Sequence, residues 1–389
     1  MPVQRPLFTR HPFKFLYTTC FIAVLPIRLL GLALYYLPSA TRPKRTFRQA
    51  ITARIIYLWF RFATTVEYRT PKSLQPGRDK NRFVLLDPAQ IEHSDSTYTG
   101  ILQINPAIRP APIAGFWYEA PPPADKIPDL VVLHFHGGAF VLGGARPSEV
   151  GWGAPDLSKR LKCPVLAPQY RLSDVRDPTR AFPAALQDAV TAYTYLLYTL
   201  KVQPENIILS GDSAGGNLAL ALLRYLHHTQ DAESEANTQR PLPSPRAALL
   251  WAPWVDLDTP GHVTDQSRNA STDFIFGDLG NWGVRAYVPD GWDSDHALYP
   301  YISPLGREFA TDVPIFIQAS TAEVLYDSNC AFVDNLKERG CKVEFVEIDH
   351  AAHVTFETAP FTGFEEVQGA VMDRAVEFVK GARVSVRSS

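Results

Sequence analysis

A serine stands in Gly211-Asp212-Ser213-Ala214-Gly215-Gly216, between Asn206-Ile-Ile-Leu-Ser210, which reads as a buried strand, and Asn217-Leu-Ala-Leu-Ala-Leu-Leu-Arg-Tyr-Leu226, which reads as a helix. Gly-x-Ser-x-Gly at a strand-to-helix corner is a nucleophile elbow. The tight turn lifts the hydroxyl clear of the sheet, and the glycines let the backbone fold closely around it. Upstream, Val131-Val-Leu-His-Phe-His136-Gly137-Gly138-Ala139-Phe140 ends a second apolar run in a glycine loop. Such a loop can aim backbone N–H groups at a developing oxyanion. Short Gly/Ser strings arise by chance. Two that match one chemistry, each after its own strand, point to acyl transfer.

An activated serine needs a base, and the base needs an orienting carboxylate. At an elbow of this kind the partners follow in the order Ser, acid, His. Asp312-Val-Pro-Ile-Phe-Ile-Gln-Ala319 reads as a strand and is followed by Glu323 and, four residues on, Asp327. Cys341-Lys-Val-Glu-Phe-Val-Glu347 alternates like a final strand and is followed by His350 and His353. Residue spacing alone leaves both choices open, Glu323 or Asp327 for the acid and His353 or His350 for the base.

From about residue 129 to 380 the chain resembles the hormone-sensitive-lipase-like branch of the α/β-hydrolases. The resemblance rests on Leu133-His-Phe-His-Gly-Gly-Ala-Phe-Val-Leu-Gly143, Gln169-Tyr-Arg-Leu172, Phe182-Pro-Ala-Ala-Leu-Gln-Asp188 and Gly211-Asp-Ser-Ala-Gly-Gly-Asn217. It continues in Ala252-Pro-Trp-Val-Asp256, Tyr301-Ile-Ser-Pro304, Glu323-Val-Leu-Tyr-Asp327 and His353-Val-Thr-Phe356. It implies an α/β-hydrolase fold: a mostly parallel central sheet flanked by helices, with a helical cap. It places the acid on Glu323 and the base on His353. Three departures stand out. Ala139 replaces the family's usual third glycine, Glu323 replaces the commoner Asp, and Ser173-Asp-Val follows Tyr170-Arg-Leu in place of Ala-Pro. Main-chain donors survive the first change if the alanine backbone is tolerated. The longer acid needs a loop set slightly further back.

The roles then follow. Ser213 attacks, His353 takes its proton and returns it to the leaving group, and Glu323 holds the imidazole tautomer. Gly137, Gly138, Ala139 and Ala214 are expected to form the oxyanion hole, Gly137 by shaping the turn and the others by donating N–H groups. The reaction calls for no cofactor and no metal. His134 and His136 are read as structural, with His136 bracing its own loop, and no Cys-x-x-Cys pair occurs.

The 389 residues exceed the roughly 250–300 needed for one such catalytic domain, and the surplus lies at the N-terminus. We divide the chain into residues 1–70, a membrane anchor with cap helices, and residues 71–389, the catalytic domain. A formal net charge of −2 argues against a nucleic-acid partner. Phe15 to Leu37 is an apolar run long enough to cross about 30 Å of hydrocarbon, faulted by Pro26 and Arg28. It fits a retained anchor or hairpin, a cap packed on the catalytic domain, or a cleaved leader. Pro38-Ser-Ala40 is a poor cleavage site, and the anchor is the preferred reading. The basic, amphipathic run Ile51–Phe62 suits either an anionic surface or the active-site mouth. The expected location is a membrane, that of the endoplasmic reticulum, with the side of the catalytic domain undecided. Thr229 to Pro245 reads as a solvated loop. Asn269-Ala-Ser271 is a glycosylation sequon that matters only in a lumen.

The stretch from Asp256 to Tyr301 is rich in aromatics, namely Phe274, Phe276, Trp282, Tyr287, Trp292 and Tyr299. These either pack a cap or line an apolar pocket. The resemblance extends to membrane-anchored arylacetamide deacetylases and fungal steryl acetyl hydrolases, which share an N-terminal anchor with the same motifs. It implies removal of a short acyl group from a lipophilic small molecule. A secondary-metabolite hydrolase acting on a polyketide ester or lactone is the alternative. A non-catalytic small-molecule receptor on the same fold is the alternative of a different class. Oligomeric state is not legible.

Overall fold

The computed structural model describes residues 6–41, 44–70, 72–91, 97–123, 126–231, 241–258 and 264–382. Among these, eight strands form one sheet: β1 (Phe83–Leu86), β2 (Ile113–Tyr118), β3 (Val131–Phe135), β4 (Val165–Pro168), β5 (Ile207–Asp212), β6 (Ala247–Trp251), β7 (Ile315–Ser320) and β8 (Val343–Ile348). Their order across the sheet is β1-β2-β4-β3-β5-β6-β7-β8. β2 runs antiparallel to both its neighbours, and from β4 to β8 every pairing is parallel. Every residue of β3 to β7 is buried, as expected for parallel strands covered on both faces.

The helices are α1 (Phe13–Tyr36), α2 (Phe47–Thr65), α3 (Gly153–Leu161), α4 (Ala184–Thr194), α5 (Ala214–Asp231), α6 (Gly277–Tyr287), α7 (Tyr326–Glu338), α8 (Thr355–Thr362) and α9 (Glu365–Gly381). One large apolar cluster carries β3 residues such as Leu133 together with Leu218 and Leu222 of α5. A second joins Val132 and Ile208 to Met372 and Ala375 of α9. The sheet is thus sandwiched, and a parallel strand feeds a helix at each crossover. This is the α/β-hydrolase architecture implied by the motifs.

α2 opens with a capping box. The Thr46 hydroxyl accepts the Gln49 N–H, and the Gln49 side chain accepts the Thr46 N–H. The helix buries Ala50, Thr52, Ala53 and Ala63. Arg45, just before it, donates to the carbonyls of His350 at 2.6 Å and Thr272 at 2.7 Å. Of its two expected places, α2 therefore occupies the one over the catalytic domain. In the polar stretch 229–245, residues 232–240 lie outside the described residues. Its flanks are tied together, since Thr229 Oγ1 accepts the Leu242 N–H at 3.1 Å. Arg42 and Pro43 of the basic cluster also lie outside them.

Candidate active site

Four loops meet at the carboxyl ends of neighbouring strands, where open α/β sheets place their chemistry. β5 delivers Ser213 directly into α5. Its φ of +50° is the left-handed conformation of a sharp elbow. The two flanking glycines are steric requirements. A Cβ on Gly211 would collide with the Gly215 carbonyl, and one on Gly215 with the Phe135 carbonyl at the end of β3. Ser213 N–H donates to the Trp251 carbonyl at 2.9 Å, pinning the elbow to β6.

The glycine loop after β3 lies against that elbow. Gly137 N–H donates to Asp212 Oδ1 at 2.9 Å, so this N–H is engaged in holding the turn. Gly138 has φ +112°, Ala139 +52° and Phe140 +62°. The loop closes on itself, with Val141 and Leu142 donating to the Gly138 carbonyl at 3.0 and 2.8 Å. Gly138, Ala139 and Ser213 line one cavity. Ala214 begins α5, where N–H groups lack an intrahelical acceptor. His136 braces the loop from behind. Its Nδ1 lies 2.7 Å from the Gly137 carbonyl oxygen, its ring stacks on Tyr170 at 4.3 Å, and Tyr170 Oη donates to the His136 carbonyl. Burial lowers its pKa to about 3. Lys72 Nζ donates to the Gly143 carbonyl at the far end of the loop.

Glu323 follows β7 and His353 follows β8. Both are buried, and His353 Nδ1 lies 3.0 Å from Glu323 Oε2. Burial lowers His353 to about 4 and raises Glu323 to about 8, since neither isolated charge is favoured there. The tautomer that donates Nδ1–H to Glu323 is the one that leaves Nε2 as the basic nitrogen. That Nε2 has no hydrogen-bond partner among the described residues, and His353 lines the same cavity as Ser213. The other two candidates lie elsewhere. Asp327 is in the first turn of α7, exposed and paired with Arg268 at 2.8 Å. His350 presents its carbonyl to Arg45.

The segment before α6 supplies what sequence reading missed. The buried Asp273 carboxylate accepts three backbone N–H groups: His353 at 3.0 Å, Phe274 at 2.7 Å and Val324 at 2.7 Å. Asn269 Nδ2 donates to the carbonyls of Thr321 at 3.1 Å and Glu323 at 2.8 Å. The sequon asparagine is therefore 8% exposed, with its amide engaged on the acid loop. Nothing local in the sequence marks either role, because both depend on a loop more than 50 residues away.

The cavity measures about 530 Å³. Trp59 and Phe60 of α2 form one wall, and Trp254, Phe274 and Leu279 form others. Phe60 stacks flat on Phe274 at 5.7 Å, and Phe274 meets the His353 ring edge-on at 6.1 Å. Of the six aromatics in question, Phe274 lines the cavity. Phe276, Trp282, Tyr287 and Tyr299 lie in the main core, and Trp292 packs against it.

Among the described residues, His134, Asp212 and Glu357 bring one donor atom each within 4.8 Å of the others. His134 Nε2 lies 3.6 Å from a carboxylate oxygen of each acid, and its Nδ1 is 3.0 Å from Ser210 Oγ. Burial and the Glu357 charge raise Asp212 well above the carboxylate range.

A strand-elbow-helix serine beside a glycine loop and a His–Glu pair on one mostly parallel sheet defines an α/β-hydrolase. A family model described as alpha/beta hydrolase fold matches residues 132–357, and the chain belongs to that family. It is a carboxylic ester hydrolase. An acetyl-hydrolase of Streptomyces hygroscopicus is 34% identical over 225 residues, covering 57% of this chain and 67% of the relative. An esterase of Acinetobacter venetianus is 28% identical over 280 residues, covering 71% and 81%. A solved esterase of the bacterial hormone-sensitive lipase family superposes with a TM-score of 0.58 at 23% identity, covering 91% of this chain and 97% of that one. That last likeness speaks for the fold.

Proposed function

We propose that the enzyme removes a short acyl group, such as acetyl, from a lipophilic ester through a Ser213–His353–Glu323 triad. The observation that carries this is the 3.0 Å contact of His353 Nδ1 with Glu323, on a cavity shared with Ser213. Ser213 Oγ attacks the ester carbonyl while His353 Nε2 takes its proton. The N–H groups of Gly138, Ala139 and Ala214 receive the developing oxyanion. His353 then protonates the leaving alcohol, and water repeats the sequence on the acyl-enzyme. The acetyl-hydrolase name of the Streptomyces relative supports a short acyl group, and the aromatic walls support an apolar alcohol. Residues 71–389 form the catalytic unit. Residues 1–70 cover it with α2 and hold it at a membrane through α1, which is long and apolar enough to cross one.

The test is a fluorophosphonate probe and an ester panel varied in acyl length and alcohol bulk, applied to the full chain. Acetyl esters of bulky apolar alcohols should lead the panel, and Ser213→Ala should abolish both labelling and turnover. Labelling that persists in this variant removes the serine assignment. A preference for long acyl chains removes the short-acyl one.

A further inference from the structure

α1 lies lengthwise against α2. At its start, Lys14 Nζ donates to the Val66 carbonyl at the end of α2, at 3.1 Å. Tyr17 and Phe21 meet Phe62 at 6.3 and 4.8 Å. At its far end, the Tyr36 hydroxyl accepts from Arg54 Nε at 3.2 Å. The two helices are thus an antiparallel hairpin in contact at both ends. Tyr17, Phe21, Leu25, Leu29, Leu32 and Tyr36 are half-buried at helical spacing and form the face toward α2. The opposite face carries Phe15, Leu16, Ile22, Ile27, Leu30 and Leu34, each more than half exposed.

α2 cannot follow α1 into hydrocarbon. Arg61 pairs with Asp278 at 2.8 Å and Arg48 with Glu365 at 3.3 Å. Arg54 Nη1 reaches the Asp273 carbonyl at 3.4 Å, while Ala50 and Ala53 are buried on the catalytic domain. A helix docked along α2 therefore lies across the catalytic domain's surface, not away from it. A span of 24 residues, about 36 Å at 1.5 Å per residue, would be long enough to cross, but only after α1 left α2.

We propose that α1 lies in the plane of one leaflet, outer face in the acyl chains and inner face on α2, and does not cross the bilayer. The reading rests on the membrane association proposed above. Charge supports a lipid occupant for the exposed face. The chain has no Asp or Glu before Glu67, while the exposed Arg10, Arg28 and Lys44 precede, interrupt and follow α1, a pattern complementary to anionic headgroups. The arrangement also sets the cavity at the membrane. Trp59 and Tyr68 line it, are partly exposed and touch one another at 5.5 Å, and Trp59 touches the same Phe62 that α1 covers. The apolar surface is continuous from α1 to the mouth, so an ester dissolved in the leaflet has a route to Ser213 that avoids water.

The full chain, tagged at both termini and translated with microsomes, tests this by flotation and protease treatment of intact vesicles. The expected result is a floating protein whose two tags are both digested or both protected. One tag digested and one protected would overturn the in-plane placement and leave the membrane association standing. Protein that stays at the bottom of the gradient would overturn both. A second measurement uses Tyr17→Cys with Phe62→Cys in a Cys20→Ser background. The oxidised, cross-linked protein should float and hydrolyse esters as the reduced one does. Loss of flotation on cross-linking would show that α1 must leave α2 to bind, and would overturn the proposal.

Discussion

Asp273 Oδ1 accepts the backbone N–H of His353 at 3.0 Å, across 80 residues of sequence. The same carboxylate accepts the N–H of Val324, next to Glu323, through its other oxygen. One buried side chain thus fixes the separation of the two loops that carry the proposed base and its orienting acid. Asp273→Asn replaces one acceptor oxygen with an amide that cannot accept, and leaves a buried N–H unpaired. We expect a stability loss of about 1–3 kcal/mol by thermal or urea unfolding. We also expect turnover to fall about 100-fold with little change in KM, as for a misplaced catalytic group. A KM increase with unchanged kcat would reassign Asp273 to substrate binding.

The two pairs that spacing left open give opposite expectations. Glu323→Gln should lower kcat by up to about 10⁴, the scale seen when an amide replaces an orienting carboxylate and holds the imidazole in the wrong tautomer. Asp327→Asn breaks an exposed ion pair, and surface pairs contribute only about 0–1 kcal/mol, so turnover should stay within a factor of two. His353→Ala should abolish turnover, whereas His350→Ala should act mildly. Steady-state rates on one acetyl ester check all four, and a reversed ranking within either pair would reassign that role.

The pH dependence has a definite sign. A general base must be unprotonated, and burial lowers His353 from 6.5 to about 4. A lowered pKa keeps the imidazole neutral as pH falls below 6.5, so activity is lost only toward pH 4. The acid limb of kcat/KM for the free enzyme should therefore have its midpoint below 6.5. A midpoint at or above 6.5 would show that the charged imidazole is stabilised in the site.

Asn269 should carry no glycan even if the catalytic domain faces a lumen. Its Nδ2 bonds two carbonyls of the acid loop, and a sugar would replace one of the two hydrogens that make those bonds, in a buried site. Glycosidase treatment of the full chain should leave its mobility unchanged. A shift that disappears in Ser271→Ala would contradict the packing.

What could be read in advance follows from the range of the interactions involved. The elbow needs glycines at 211 and 215 because backbone atoms crowd those positions, and a local steric need leaves a local signature. The buried strands β3, β5 and β7 were legible as short apolar runs, and Glu323 and His353 as residues placed just beyond strand ends. Ala139 in left-handed backbone left no such mark, since its φ of +52° is imposed by the loop's packing.

The amino-acid sequence by itself determined the fold family, the serine at its elbow and a small set of candidate partners. Those properties rest on periodicity and on steric rules acting over a few residues. The tertiary structure decided which candidates meet. It set His353 against Glu323, sent Asp327 to the surface, and recruited Asp273 and Asn269 from a segment that had shown only its aromatics and a sequon. It also folded α1 back on α2, where the chain's hydropathy alone described a run long enough to cross a membrane. Hydropathy records how much apolar surface a helix has. Which neighbour covers that surface depends on residues such as Arg48, Arg54 and Arg61 finding partners hundreds of positions away, and those partners exist only once the chain has folded.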